Sequence, residues 1–172
     1  IAKCSAAAKR YGYDSLKFER GDIAEYDANA PADMVVTLHA CDTATDYALH
    51  NAVCRGARMI LSVPCCQHEL NGQIASDRLR LITRYGIIKE RFAALMTDAI
   101  RANLLESRGY KTQVLEFVDL SHTPKNLLIR AIKKRPALDN AGRIALDEAK
   151  ALMEEFSLEP TLYSLLYPHS AD

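Results

Sequence analysis

Apolar residues recur along the chain in three rhythms: helical, alternating and continuous. Over residues 1–12, Ile1, Cys4, Ala8 and Tyr11 stand at helical spacing, and Gly12 stops the helix. Leu16-Lys17-Phe18 alternates like a short strand and is closed by Gly21-Asp22. Residues 28–31 read as a loop. Met34–Leu38 and Met59–Val63 are apolar runs of the kind formed by strands covered on both faces. Between them the pattern predicts a helix over 44–55, ended by Gly56, whose start carries the capping-box pattern Thr43-Ala44-Thr45-Asp46. Two helices are expected over 73–84 and 90–108, broken near Tyr85-Gly86. The second should bury Phe92, Leu95, Met96, Ala99 and Ile100. Strands are expected over 114–118 and 127–132, joined by a polar loop containing Pro124. Beyond Pro136, Ala145, Ala149, Leu152, Met153 and Phe156 mark an amphipathic helix, followed by a Tyr-rich tail.

This order predicts an α/β fold. The strands at 34–38 and 59–63 should be parallel, with a right-handed crossover, and the last two antiparallel. Ligands of open α/β sheets bind at the carboxyl ends of the strands. Three loops should therefore converge on one edge: 38–46, 64–71 and 119–126. They carry His39, Cys41 and Asp42; Cys65, Cys66, Gln67, His68 and Glu69; and Asp119, His122, Lys125 and Asn126.

Composition narrows the class. The chain has 172 residues, 49% hydrophobic and 26% charged, which excludes a collagen, a charge-rich tail and a disulfide-stapled miniprotein. Its 22 basic and 22 acidic residues balance, so a strongly basic nucleic-acid binder is not indicated. No apolar run reaches the ~18 residues needed to span a bilayer. Five cysteines, two of them adjacent, and no signal-peptide pattern point to free thiols in the cytoplasm. The chain begins with Ile1 inside a helical pattern, and the expectation is a fragment of a longer protein.

Each candidate also has a plainer reading. Asp42 can be catalytic or can simply favour a helix N-terminus. His39 can be a site residue or a satisfied buried histidine. Cys65 and Cys66 can be nucleophiles or small hydrophobes. Three Cys and two His invite zinc, but Cys-Cys-x-x-Glu is not a recognised ligand spacing and adjacent cysteines seldom share an ion, so no metal is expected. Lys125, beside Asp42, can orient and deprotonate a sugar hydroxyl or be a solvated cation. Arg78, Arg80, Arg84, Arg91 and Arg101 read as a solvated face rather than a phosphate rim. Neither a nucleophile elbow nor a P-loop is present.

Residues 38–46, Leu-His-Ala-Cys-Asp-Thr-Ala-Thr-Asp, and 63–71, Val-Pro-Cys-Cys-Gln-His-Glu-Leu-Asn, resemble class I S-adenosylmethionine-dependent methyltransferases of one type. That type includes bacterial RNA methyltransferases and is similar to the eukaryotic 2′-O-methyltransferase of the tRNA acceptor stem. Gly21-Asp22-Ile23 and His122-Thr123-Pro124-Lys125-Asn126 match as well, and the resemblance covers about 1–134. It implies the C-terminal portion of a Rossmann-like sheet over 1–134, with 135–172 as a helical extension. It also implies that the cofactor glycine loop and first two strands precede Ile1. On this resemblance Asp22, Ile23, His39 and Ala40 meet the cofactor, S-adenosylmethionine. Asp42, His39, Lys125, Cys65 and Cys66 are the catalytic candidates, and His68, His122 and Asn126 contact an RNA substrate. This chain alone is then expected to bind the cofactor weakly and to be inactive. The open edge of 34–38 should be covered by residues 16–19 or by a homodimer. The alternative is a methyltransferase-like domain that binds RNA or protein without turnover.

Overall fold

The two apolar five-residue runs pair with each other, and the rest of the sheet is built on that pair. In the computed structural model, which describes residues 1–26, 30–118 and 127–168, β1 (Met34–Leu38) and β2 (Met59–Val63) are parallel, with Met34 opposite Met59 and Leu38 opposite Val63. Between them runs α2 (Thr43–Cys54). After β2 come α3 (His68–Gln73), a 3₁₀ turn at Asp77–Leu79, α4 (Arg80–Thr83) and the long α5 (Gly86–Ser107). Strands β3 (Tyr110–Glu116) and β4 (Leu127–Lys133) follow, then α6 (Asn140–Phe156) and α7 (Thr161–Leu166). A short α1 (Ala2–Arg10) precedes them all. The four strands lie in the order β1-β2-β4-β3, and β4 is antiparallel to both neighbours. The carboxyl ends of β1 and β2 and the beginning of β4 therefore share one edge.

Side chains alternate across a strand, so the register sorts the sheet into two faces. Thr37, Ile60, Ser62, Ile129, Ala131 and Tyr110 are buried on the face where α2 and α5 pack. Thr37 Oγ1 donates to Ser62 Oγ at 2.8 Å, so two buried hydroxyls satisfy each other. On the opposite face Met34, Val36 and Leu38 are exposed. The expectation that β1 is covered on both faces is thus corrected, because its apolar run was read as two-sided burial. The expected strand at 16–18 does not form either. Three residues offer too few ladder bonds to hold a strand without a neighbour, and Leu16 is exposed. Residues 16–19 do not pair with β1 as a strand of this sheet.

The helix expected over 73–84 is instead divided, with α3 starting at His68 and ending at Gln73. The phase of α5 also differs from expectation. Leu95 and Ala99 point outward, while Thr97, Asp98 and Arg101 face the interior. Gly109, at φ +89°, ends the α5 turn, and a Cβ there would overlap the Arg135 carbonyl.

The C-terminal helices are part of the same core. α6 packs on α5 and α7 on α2. Leu146, Ala149, Met153, Leu158, Leu162 and Leu166 join Leu49, Ile60, Leu104 and Ile129 in one apolar cluster. Leu162 is fully buried. Leu162→Ala should therefore cost about 2–5 kcal/mol in chemical denaturation. A loss under about 1 kcal/mol would mean that α7 is an independent appendage.

Candidate functional site

Between β1 and α2 the chain turns within four residues, His39-Ala40-Cys41-Asp42. The turn places two non-glycine residues at positive φ, His39 at +58° and Asp42 at +53°. Such backbone costs on the order of 1–3 kcal/mol per residue and persists only where the surroundings dictate it. Here several bonds do so. The Asp42 N–H donates to the Cys66 carbonyl at 3.1 Å. Asp42 Oδ1 accepts from the backbone N–H groups of His68 at 2.8 Å and Glu69 at 3.0 Å. Thr45 Oγ1 donates to the Ala40 carbonyl.

The Asp42 carboxylate thus serves the first turn of α3 rather than its own helix, as an N-terminal acid does, and it ties the 38–46 and 64–71 loops together. The capping box expected at Thr43–Asp46 does not form. Asp42 is the N-cap, it makes no side-chain bond to α2, and Asp46 turns inward.

Asp46 turns inward because Arg101 is buried beneath the loop. Arg101 Nε and one terminal nitrogen donate to the two Asp46 oxygens at 2.9 and 2.7 Å, while its other terminal nitrogen meets Asp98 at 3.1 Å. The nitrogen on Asp46 also donates to the Asp42 carbonyl at 2.9 Å. Gln67 Nε2 donates to the second Asp98 oxygen at 2.9 Å. All three charged side chains are at most 3% exposed. Burial alone would lower the guanidinium pKa, but the bonds to Asp46 and Asp98 outweigh it and hold it above its ordinary value. Burial pushes the Asp98 carboxyl up to about 6 against the pull of Arg101 and Gln67. Burial also raises Glu69, whose carboxylate accepts from the Thr161 N–H and hydroxyl.

The thiols converge at this edge. Cys41 Sγ and Cys65 Sγ are 3.2 Å apart, and with Cys66 Sγ all lie within 4.8 Å of one another. The hydrogen bond to Cys41, then burial and the Cys66 thiol, push the Cys65 thiol up to about 12. The direction of this shift favours the protonated form of Cys65 and works against its use as a thiolate.

The structure gathers His39, Ala40, Cys41, Asp42, Cys65, Cys66 and His68 on the two neighbouring loops. It does not bring Asp22 and Ile23 there. The Ile23 carbonyl accepts from Asn51 Nδ2 at 2.8 Å, and Asn51 lies eight residues into α2, about 12 Å along its axis. Asp22 Oδ1 closes a local turn by accepting from the Ala24 N–H at 2.9 Å. Asp119, His122, Lys125 and Asn126 lie outside the described residues. Sequence reasoning missed Asp98 and the inward role of Arg101, which had been counted with the solvated arginines. The readable signal was an i, i+3 acid–base pair set among Ile100, Leu104 and Leu105.

Residues 1–73 match the protein family described as a methyltransferase domain, a stretch that includes β1, α2, β2 and both loops of the site. The match supports a methyltransferase, and the four-stranded open α/β sheet is compatible with that fold. No curated protein and no solved structure matches the chain.

The raised Asp98 pKa has a definite sign. Between its ordinary 3.8 and about 6, the folded chain holds this proton more tightly than the unfolded chain. The resulting stability is fully present below pH 4 and is lost as pH rises through about 6. Relative to wild type, Asp98→Asn should therefore become steadily less unfavourable from pH 4 to pH 6.5 in urea melts. A difference constant across that range would contradict the assignment.

Proposed function

We propose that this chain acts in S-adenosylmethionine-dependent methyl transfer to RNA, most directly to a ribose 2′-hydroxyl. The observation that carries this reading is the methyltransferase-domain match over residues 1–73, which includes the two loops joined by Asp42 at the carboxyl ends of β1 and β2. The RNA and the ribose oxygen come from the resemblance of residues 38–46 and 63–71 to RNA methyltransferases. Methyl transfer is an in-line displacement, so a protein contributes mainly alignment and a base.

Asp42 is the first candidate for alignment. Its carboxylate is held by two backbone N–H groups at a sheet edge where α/β ligands bind. Transfer to a pyrimidine carbon through Cys65 would need a thiolate, and its hydrogen bond to Cys41 raises that thiol's pKa, which disfavours Cys65 as the nucleophile. S-adenosylmethionine is the methyl donor in this reading. Of the residues that the resemblance assigns to it, His39 and Ala40 lie on the loop after β1, while the Ile23 carbonyl meets Asn51 further along α2.

The test is nucleoside mass spectrometry of total RNA from a strain lacking the gene, set against its parent. One methylated nucleoside should disappear and return with the wild-type gene. With Asp42→Asn, turnover on that RNA should fall by about 10²-fold or more. An unchanged nucleoside profile would overturn methyl transfer to RNA and leave the binding-domain reading.

A further inference from the structure

The three-thiol cluster stands independently of methyl transfer. Cys41 comes from the loop after β1, and Cys65 and Cys66 come from the loop after β2, 24 residues further on. Adjacent cysteines in a strand point to opposite faces. Here β2 has ended at Val63, and in the turn toward α3 both thiols come within 4.8 Å of Cys41 Sγ. The three are free cysteines, Cys65 and Cys66 half-buried and Cys41 exposed. Four-coordinate zinc, with Zn–S bonds of ~2.3 Å, holds its sulfurs about 3.8 Å apart, so the thiols need shift only modestly to bind one ion.

The backbone beneath them is set by the Asp42 N–H on the Cys66 carbonyl, the Asp42 carboxylate on α3 and Arg101 on the Asp42 carbonyl. Three sulfur donors select a soft ion such as zinc over magnesium or calcium. The other two cysteines are placed elsewhere. Cys4 is on α1, and Cys54 is at the far end of α2, about 16 Å along its axis from Thr43 and 3.3 Å from His50 Nε2.

We propose that Cys41, Cys65 and Cys66 bind one zinc ion as thiolates, with the fourth position open to water, so that the metal clips the two loops together. Three S–H bonds lose their protons to solvent as three Zn–S bonds form, and no electron is transferred. Such an ion adds a covalent tie to the hydrogen bonds that already join the loops.

The test is titration of the reduced 172-residue chain with zinc in competition with a chromophoric chelator. One equivalent should bind, and the Cys4→Ser/Cys54→Ser double variant should bind equally well. Cys41→Ser, Cys65→Ser and Cys66→Ser should each weaken binding by more than the roughly 100-fold that loss of an outer-shell partner costs. Cobalt(II) added to the wild-type chain tests the same ligands without any substitution, through a thiolate-to-cobalt charge-transfer band of three-sulfur intensity. Failure to bind a stoichiometric ion, binding that survives all three substitutions, or a cobalt spectrum lacking that band would overturn the site.

Discussion

A single buried guanidinium organises this end of the molecule. Arg101 sits between Asp46 on α2 and Asp98 on its own helix, with all three side chains withdrawn from water. Removing three charges from solvent costs several kcal/mol per ion, and the attraction offsets this only where geometry and further hydrogen bonds are good. Those conditions are met here. Four donor contacts leave Arg101 toward two carboxylates and the Asp42 carbonyl, and Gln67 takes the free Asp98 oxygen. The cluster therefore bolts α2 to α5 and at the same time reaches into both loops of the site, through Asp42 and Gln67.

The shape of those loops follows from that attachment. His39 and Asp42 hold positive φ, and Asp42 with ψ −126° lies outside the left-handed helical well that Asp and His tolerate; the loop keeps this backbone because its carbonyls and carboxylate are engaged. Asp42 then serves as donor through its backbone and as acceptor through its side chain, both times toward the neighbouring loop. With the loops fixed in this way, the thiols at 41, 65 and 66 are neighbours although the sequence separates the first from the others. Functional sites commonly store strain that the surrounding fold sustains.

How much of this can be read from the chain depends on the range of the interaction. The strands Met34–Leu38 and Met59–Val63 coincide with their apolar runs, because four apolar residues and one small hydroxyl residue, set between Asp33 and His39 or between Arg58 and Pro64, leave little choice of boundary. The crossover helix between them, the parallel pairing and the reversed last strand follow from topology rules. Burial of β1 was misread because an apolar run does not say whether one face or two will be covered. The inward turn of Asp98 and Arg101 was hidden because charged residues on a helix usually face water; only the partner on α2 explains their burial. The cysteines show the same limit. Their separation of 24 residues along the chain does not show that they meet, whereas in the fold two parallel strand ends lying side by side bring them within 4.8 Å of one another.

If Arg101 sets the loops, their amides should open only with the core. Native-state hydrogen exchange reads this directly at the N–H groups of Asp42, His68 and Glu69, which bond across the two loops. These three should exchange with an opening free energy close to that of the β2 amides in the wild-type chain. In Arg101→Met they should exchange by local opening, well before β2. Rapid exchange of the three amides in the wild type, or protection that persists undiminished in Arg101→Met, would contradict the claim that the buried ion cluster holds the site in place.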